Sequence, residues 1–240
     1  MNFYELMESS CNNIHLKFDK DKYLKFVEYK DLIKEWNQKV NLTAITEDEE
    51  IIKKHFIDSI KIFNFKEFQN AKSVIDVGTG AGLPGIPIKI MKPELDVVLL
   101  DSLMKRVNFL NEVIEKLNLF DINAVHGRAE DFGKVEYREV FDIAVSRAVA
   151  NLTLLSELCL PFVKVGGYFL AMKGPSVDSE IIDAKFAIST LGGKLEDIVE
   201  IDIEDSNLKH NIVIIRKIMK TPKQFPRKPG VPSKKPLRNV

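Results

Sequence analysis

Residues 74–85 read Val-Ile-Asp-Val-Gly-Thr-Gly-Ala-Gly-Leu-Pro-Gly, a short apolar strand that runs straight into a glycine-dense turn opening a helix. No other segment restricts the possible folds so tightly. Glycine reaches positive φ without steric cost and lets a ligand approach the main chain, so this order of strand, turn and helix points to a nucleotide-like cofactor at the edge of an α/β sheet.

The chain around the turn alternates in the same way. Strand-like runs fall at 73–77, 97–101, 121–125, 140–145 and 167–172, with helical patterns near 84–91, 103–117, 151–160 and 177–191. Parallel strands need such crossovers. The end departs from the alternation: 195–203 and 211–219 are β-rich runs joined by a polar turn from Glu204 to His210, which predicts a terminal antiparallel hairpin. An α/β sheet of seven mostly parallel strands closed by such a hairpin resembles the Rossmann-like class-I SAM-dependent methyltransferase fold. Upstream, residues 3–11 and 20–40 read as helices, with Trp36 on the apolar side, and Thr46 with Glu49 predicts a capping box for a helix bearing Ile51, Ile52, His55 and Phe56. The expected organisation is a helical subdomain over 1–70, a cofactor-binding domain over 71–220 and a basic tail over 221–240.

Charge narrows the cofactor. Gly80 to Gly85 satisfies G-x-G-x-x-G and Asp101 follows Gly80 by 21 residues, a spacing that also fits a dinucleotide. Asp76 argues against a dinucleotide, because its carboxylate would face a pyrophosphate with no Lys or Arg in the turn. S-adenosylmethionine (SAM) is cationic at its sulfonium and ammonium, and Asp76 would attract it. Asp101 can accept from the ribose of either molecule, so the residues favour SAM and leave a dinucleotide as the alternative. No Gly-Lys-Ser/Thr closes the turn, which excludes a P-loop.

At 240 residues and 45% hydrophobic content the chain can bury a large core. Two cysteines and four scattered histidines give neither a disulfide framework nor a metal pattern, and the N-terminus reads neither as a secretion signal nor as a membrane span. The expectation is a cytoplasmic protein with no metal and no membrane contact. Net charge is zero, yet residues 216–240 carry nine basic and no acidic side chains, leaving −9 on the rest. Clustered Lys and Arg displace counterions from phosphates, and Phe225 offers a stacking face. Charge alone does not separate an RNA-binding tail from a solvated one.

Three further segments follow strand ends: His126-Gly127-Arg128-Ala129-Glu130, Ser146-Arg147-Ala148-Val149 and Met172-Lys173-Gly174-Pro175. Arg147 needs an anionic partner or water, and Lys173 is placed equally well for phosphate or for solvent. His55 reads as a packed or capping histidine. No Ser-His-Asp arrangement stands out, and no general base is evident.

Together Asn41-Leu42-Thr43-Ala44, the glycine turn, Asp101-Ser102 with Lys105-Arg106, Gly127-Arg128-Ala129-Glu130, Ser146-Arg147-Ala148, Lys173-Gly174 and the ending Pro226-Arg227-Lys228 through Lys234-Lys235-Pro236-Leu237 resemble the bacterial ribosomal RNA small subunit methyltransferase G family, also called GidB. Pro229 and Val231 depart from the Ala and Thr common there. The resemblance implies methyl transfer from SAM to N7 of a guanine in the 530 loop of 16S rRNA, on naked rRNA or the small ribosomal subunit. It implies cofactor contacts at Gly78, Leu83, Ala129, Glu130 and Arg147, to which the ribose reasoning adds Asp101. It favours RNA contact by the tail, with Lys173, Arg227, Lys228, Lys234 and Lys235 as candidates, and identifies no catalytic residue. The chain is expected to act as a monomer, and removing residues 222–240 is expected to weaken RNA binding while SAM binding persists.

Overall fold

The computed structural model describes residues 2–147, 150–204, 206 and 209–238. Ala148 and Val149, and Asp205, Asn207 and Leu208 of the predicted hairpin turn, lie outside the described residues.

Seven strands form one sheet: β1 (Ser73–Val77), β2 (Asp96–Asp101), β3 (Ile122–His126), β4 (Phe141–Arg147), β5 (Val163–Lys173), β6 (Gly193–Asp202) and β7 (Lys209–Lys217). Their order is β3-β2-β1-β4-β5-β7-β6. The first five pair in parallel, and β7 lies antiparallel between β5 and β6. The predicted hairpin is therefore present. The strand order reverses at β1 and β4, the switch point at which open sheets receive ligands beyond their strand carboxyl ends.

The central strands alternate between two buried faces, as strands covered on both sides must, whereas the edge strands β3 and β6 are largely open. Val74, Val97, Leu99, Val145 and Ile214 face one core, and Ile75, Val98, Leu100, Ala144 and Ile215 face the other. Helices α8 (Leu152–Cys159) and α9 (Asp178–Thr190) cover the second face, to which the short α7 (Ala129–Phe132) adds Ala129. The first face receives α5 (Gly85–Met91), α6 (Met104–Lys116) and the N-terminal elements.

Those N-terminal elements are α1 (Phe3–Asn13), α2 (Lys20–Asn37), α3 (Asp48–Ile51), a π-helical stretch (Ile52–Ile57) and α4 (Asp58–Ile60). They keep no core of their own, because Phe26, Tyr29, Phe56 and Ile60 belong to the same cluster as the sheet residues. The Tyr29 hydroxyl donates to the Ala81 carbonyl, so α2 grips the glycine turn directly. The predicted Thr46–Glu49 capping box does not form: Glu47 is the N-cap without a side-chain bond, and Glu49 pairs with Lys53. A capping box closes α1 instead, between Asn2 and Glu5. At α3 the acidic first turn is held by Lys30 and Lys34 on Asp48.

The C-terminal segment is also packed. Phe225 is buried in the second core, and Arg138 donates to the carbonyls of Thr221, Pro222 and Phe225. A short helix, α10 (Val231–Lys234), follows.

Candidate functional site at the carboxyl edge of the sheet

The glycine turn takes the backbone its sequence demands. Gly78, Gly80 and Gly82 have φ of +73°, +61° and +89°. A β-carbon on Gly82 would lie 2.5 Å from Ile86 Cγ1 and 3.0 Å from the Tyr29 hydroxyl, so glycine is required there for space as well as conformation.

Two carboxylates tether the turn. Asp76 is fully buried, and its Oδ2 accepts from the Thr79 hydroxyl at 2.7 Å and the Gly85 amide at 2.8 Å. Its Oδ1 has no hydrogen-bond partner among the described residues. Burial pushes this acid up to about 6, while those two bonds and the nearby Arg147 charge pull it down. Asp101 accepts the Gly80 amide at 2.9 Å and Arg106 Nη1 at 3.4 Å on Oδ2, and the Leu103 amide at 2.9 Å on Oδ1.

Beside the turn lies a cleft of about 210 Å³, lined by Val77, Gly78, Leu100, Ser102, Gly127, Arg128, Ala129, Glu130, Leu154, Leu155, Leu158, Gly230 and Ser233. Gly78, Ala129 and Glu130 meet there as the sequence predicts. Leu83, Asp101 and Arg147 do not line it: Leu83 is buried in the first core, and Ser102 faces the cleft in place of Asp101. Leucines on either side give a slot with apolar walls suited to a flat ring, and Glu130 supplies an acceptor. The buried, unpartnered Asp76 oxygen and the lack of any cation within the turn suit a positively charged ligand better than a pyrophosphate. The site therefore fits SAM.

A second cleft, of about 360 Å³, opens at the ends of β4 and β5 against the N-terminal elements. Ile45, Lys54, His55, Asp58, Arg147, Met172, Lys173, Gly174 and His210 line it. Arg147 Nη1 donates to Asp58 Oδ2 and to the Lys54 carbonyl, both at 3.0 Å, and Nη2 lies 3.4 Å from His55 Nδ1. Asp58 Oδ1 receives His210 Nδ1 at 2.6 Å. His55 Nε2 lies 2.8 Å from the Thr43 hydroxyl. A guanidinium can only donate, so His55 Nδ1 is an acceptor and its proton sits on Nε2, facing Thr43. Burial, reinforced by the Arg147 charge, pushes His55 down to about 4. The Asp58 hydrogen bond raises His210 instead. One cleft thus holds a neutral histidine and one poised to be charged.

Sequence reasoning set His55 aside and did not single out Asp58 or His210. The available signal was the spacing of His55 and Asp58, three residues apart and so on one helix face. The π-helical stretch that carries His55 is a distortion frequent at functional sites, but nothing in the sequence announced it.

The structure divides the predicted RNA contacts. Lys173 Nζ donates to the Ala150 carbonyl at 2.6 Å and pairs with Glu180 at 2.7 Å, so its charge is already engaged. Arg227 clamps the buried Glu157 through Nε and Nη2, with bonds of 2.6 to 3.1 Å, and its amide joins at 2.9 Å. Lys228, Lys234 and Lys235 are exposed. Among the described residues no group of three or more His, Cys, Asp or Glu is placed to hold a metal, and no helix is long and apolar enough to cross a membrane. Both cysteines are buried and free.

A seven-stranded sheet with a reversed β7, whose first strand runs into an acid-tethered glycine turn, defines the class-I SAM-dependent methyltransferase fold. A SAM-dependent methyltransferase from Aquifex aeolicus shares it with a TM-score of 0.51 at 19% identity, over 83% of this chain and 99% of that one. The family profile for rRNA small subunit methyltransferase G, GidB, matches residues 22–211. Ribosomal RNA small subunit methyltransferase G of Clostridium novyi (strain NT) is 62% identical over 236 residues, 98% of this chain and 97% of that protein. The protein of the same name from Clostridium botulinum (strain Loch Maree / Type A3) is 61% identical over 239 residues, 99% of this chain and 100% of its own length. The chain belongs to the rRNA small subunit methyltransferase G family.

Proposed function

We propose that this protein transfers a methyl group from SAM to N7 of a guanine in the 530 loop of 16S rRNA. The observation that carries the reading is the end-to-end match, at 62% identity across 98% of the chain, to a relative named as a methyltransferase of small-subunit ribosomal RNA. When bound, SAM supplies an electrophilic methyl on a cationic sulfonium. Gly78, Ala129 and Glu130 would line its site, and Leu83 would pack the turn from below. Asp101 keeps a lone pair on Oδ1, beyond the Leu103 amide, for a ribose hydroxyl. Arg147 lies within Coulomb reach of Asp76 and would add positive charge near the turn.

Guanine N7 offers a lone pair with no proton to remove, so placement rather than a general base governs the reaction. The neutral His55 and the engaged Asp58 accord with that, and no residue is assigned as a base. The second cleft would receive the target base, and the exposed Lys228, Lys234 and Lys235 would contact phosphates. Lys173 and Arg227 would act in support, through the contacts they already make. The protein would work as a monomer in the cytoplasm.

Incubating the protein with labelled SAM and small ribosomal subunits, then mapping the label, tests the reading. Label on N7 of one 16S guanine is the expected result. Absence of label from every 16S guanine would remove it.

A further inference from the structure

The predicted tail begins with a buried anchor and passes beside the cofactor cleft. Phe225 is 5% exposed within the second core, and the Arg138 guanidinium holds the Phe225 carbonyl together with those of Thr221 and Pro222. Two residues on, Arg227 makes a bidentate pair with Glu157, a carboxylate only 1% exposed on α8. The chain then turns at Gly230, where φ is +79°, and the Gly230 amide donates to Glu130 Oε1 at 3.0 Å. Gly230 and Ser233 are lining residues of the same cleft as Gly78, Ala129 and Glu130.

A solvated tail would not be fixed in this way. The Arg227 pair leaves the low-dielectric side of α8 with a satisfied carboxylate, so lifting the segment would strand a buried charge. The bond from Gly230 fixes one oxygen of Glu130 and leaves the other for a ligand donor, as a supporting partner does for a ligand-binding carboxylate.

We infer that residues 227–233 are a wall of the methyl-donor site: Gly230 orients Glu130, Ser233 borders the bound donor, and Arg227 with Glu157 are the positioning pair that seats the segment. The inference rests on the methyl-donor reading above. It differs from the expectation drawn from charge, in which the tail serves RNA alone and its loss spares SAM binding. The segment has two faces: Gly230 and Ser233 border the cleft, whereas Lys228, Lys234 and Lys235 are exposed.

Calorimetric titration of the full-length protein with S-adenosylhomocysteine, without RNA, provides the test. Ser233→Trp, at an exposed position that burdens no core, is expected to weaken binding at least tenfold by filling the cleft. Gln224→Trp, equally bulky, exposed and outside the cleft, is expected to leave affinity within twofold of wild type. Glu157→Gln keeps the shape of the clamp while removing its charge, and is expected to weaken binding about fivefold or more with the thermal transition retained. If Glu157→Gln fails to fold, the Ser233→Trp and Gln224→Trp pair decides alone. Unchanged affinity in Ser233→Trp overturns the inference, as does tighter or unchanged binding in a folded Glu157→Gln, since the segment would then obstruct or ignore the site. A wild-type protein that takes up no S-adenosylhomocysteine overturns the methyl-donor reading itself, an outcome visible before any variant is made.

Discussion

The two clefts share one sheet edge but are built from opposite materials. The cleft beside β1 and β2 is walled by backbone, leucines, Arg128 and one acceptor carboxylate, drawn from the start of the glycine turn, the ends of β2 and β3, α8 and the C-terminal segment. The cleft beside β4 and β5 is a chain of charge and imidazole, Thr43–His55–Arg147–Asp58–His210, brought together from four separate segments. A local turn starts a slot for a small cofactor that backbone and apolar side chains from other segments complete, whereas a charged cluster for a polar substrate depends on specific side chains meeting one another.

The sharpest way to break that comparison is Asp58→Ala. It leaves Arg147 and His210 without their shared carboxylate, and removing one member of a buried pair costs about 3–5 kcal/mol. Urea unfolding should show that loss, with methyl transfer falling alongside. A loss below about 1 kcal/mol would mean that the second cleft does not depend on its central charge.

Acid sets the two regions against each other at a comparable scale. His55 is lowered from 6.5 to about 4, so its contribution is present above pH 6.5 and is lost as pH falls through about 4. Asp76 is raised from 3.8 to about 6, so its contribution is present below pH 3.8 and is lost as pH rises through about 6. The difference in unfolding free energy between wild type and His55→Gln should therefore shift by roughly 3 kcal/mol between pH 7 and pH 4, to the disadvantage of wild type in acid. A pH-independent difference would place the histidine in a wetter site than the structure gives it.

On the first cleft, Asp101→Ala removes the acceptor for the Gly80 and Leu103 amides. Charge-assisted bonds of about 1.5–3 kcal/mol correspond to roughly 10- to 100-fold weaker SAM binding. Unchanged affinity would separate the turn's geometry from its tether. The smallest effect is expected outside both clefts. Replacing Lys228, Lys234 and Lys235 together with alanine should flatten the salt dependence of RNA binding by about two in logarithmic slope, at about 0.7 per single-strand phosphate contact. An unaltered slope would return these lysines to solvent.

Most strands were legible because apolar runs and glycine punctuation are local. The helices read at 84–91, 103–117 and 177–191 appear as Gly85–Met91, Met104–Lys116 and Asp178–Thr190. The helical pattern of the N-terminal segment does not show Tyr29 reaching Ala81, and Phe225, which the sequence offers as a stacking face, is instead buried in the second core. In both places composition described the segment correctly but carried no information about its neighbour. Arg227 shows this most clearly, since the same guanidinium suits an RNA phosphate or Glu157, and only proximity chooses between them.

Whatever depends on backbone conformation and side-chain periodicity was settled by the chain alone: the glycine turn, the alternation of strand and helix, and the reversed final strand. The pairing of charges was settled only by folding. Asp58 meets His210 across 152 positions and Glu157 meets Arg227 across 70, because a buried carboxylate must find a cation wherever the packed elements bring one within reach.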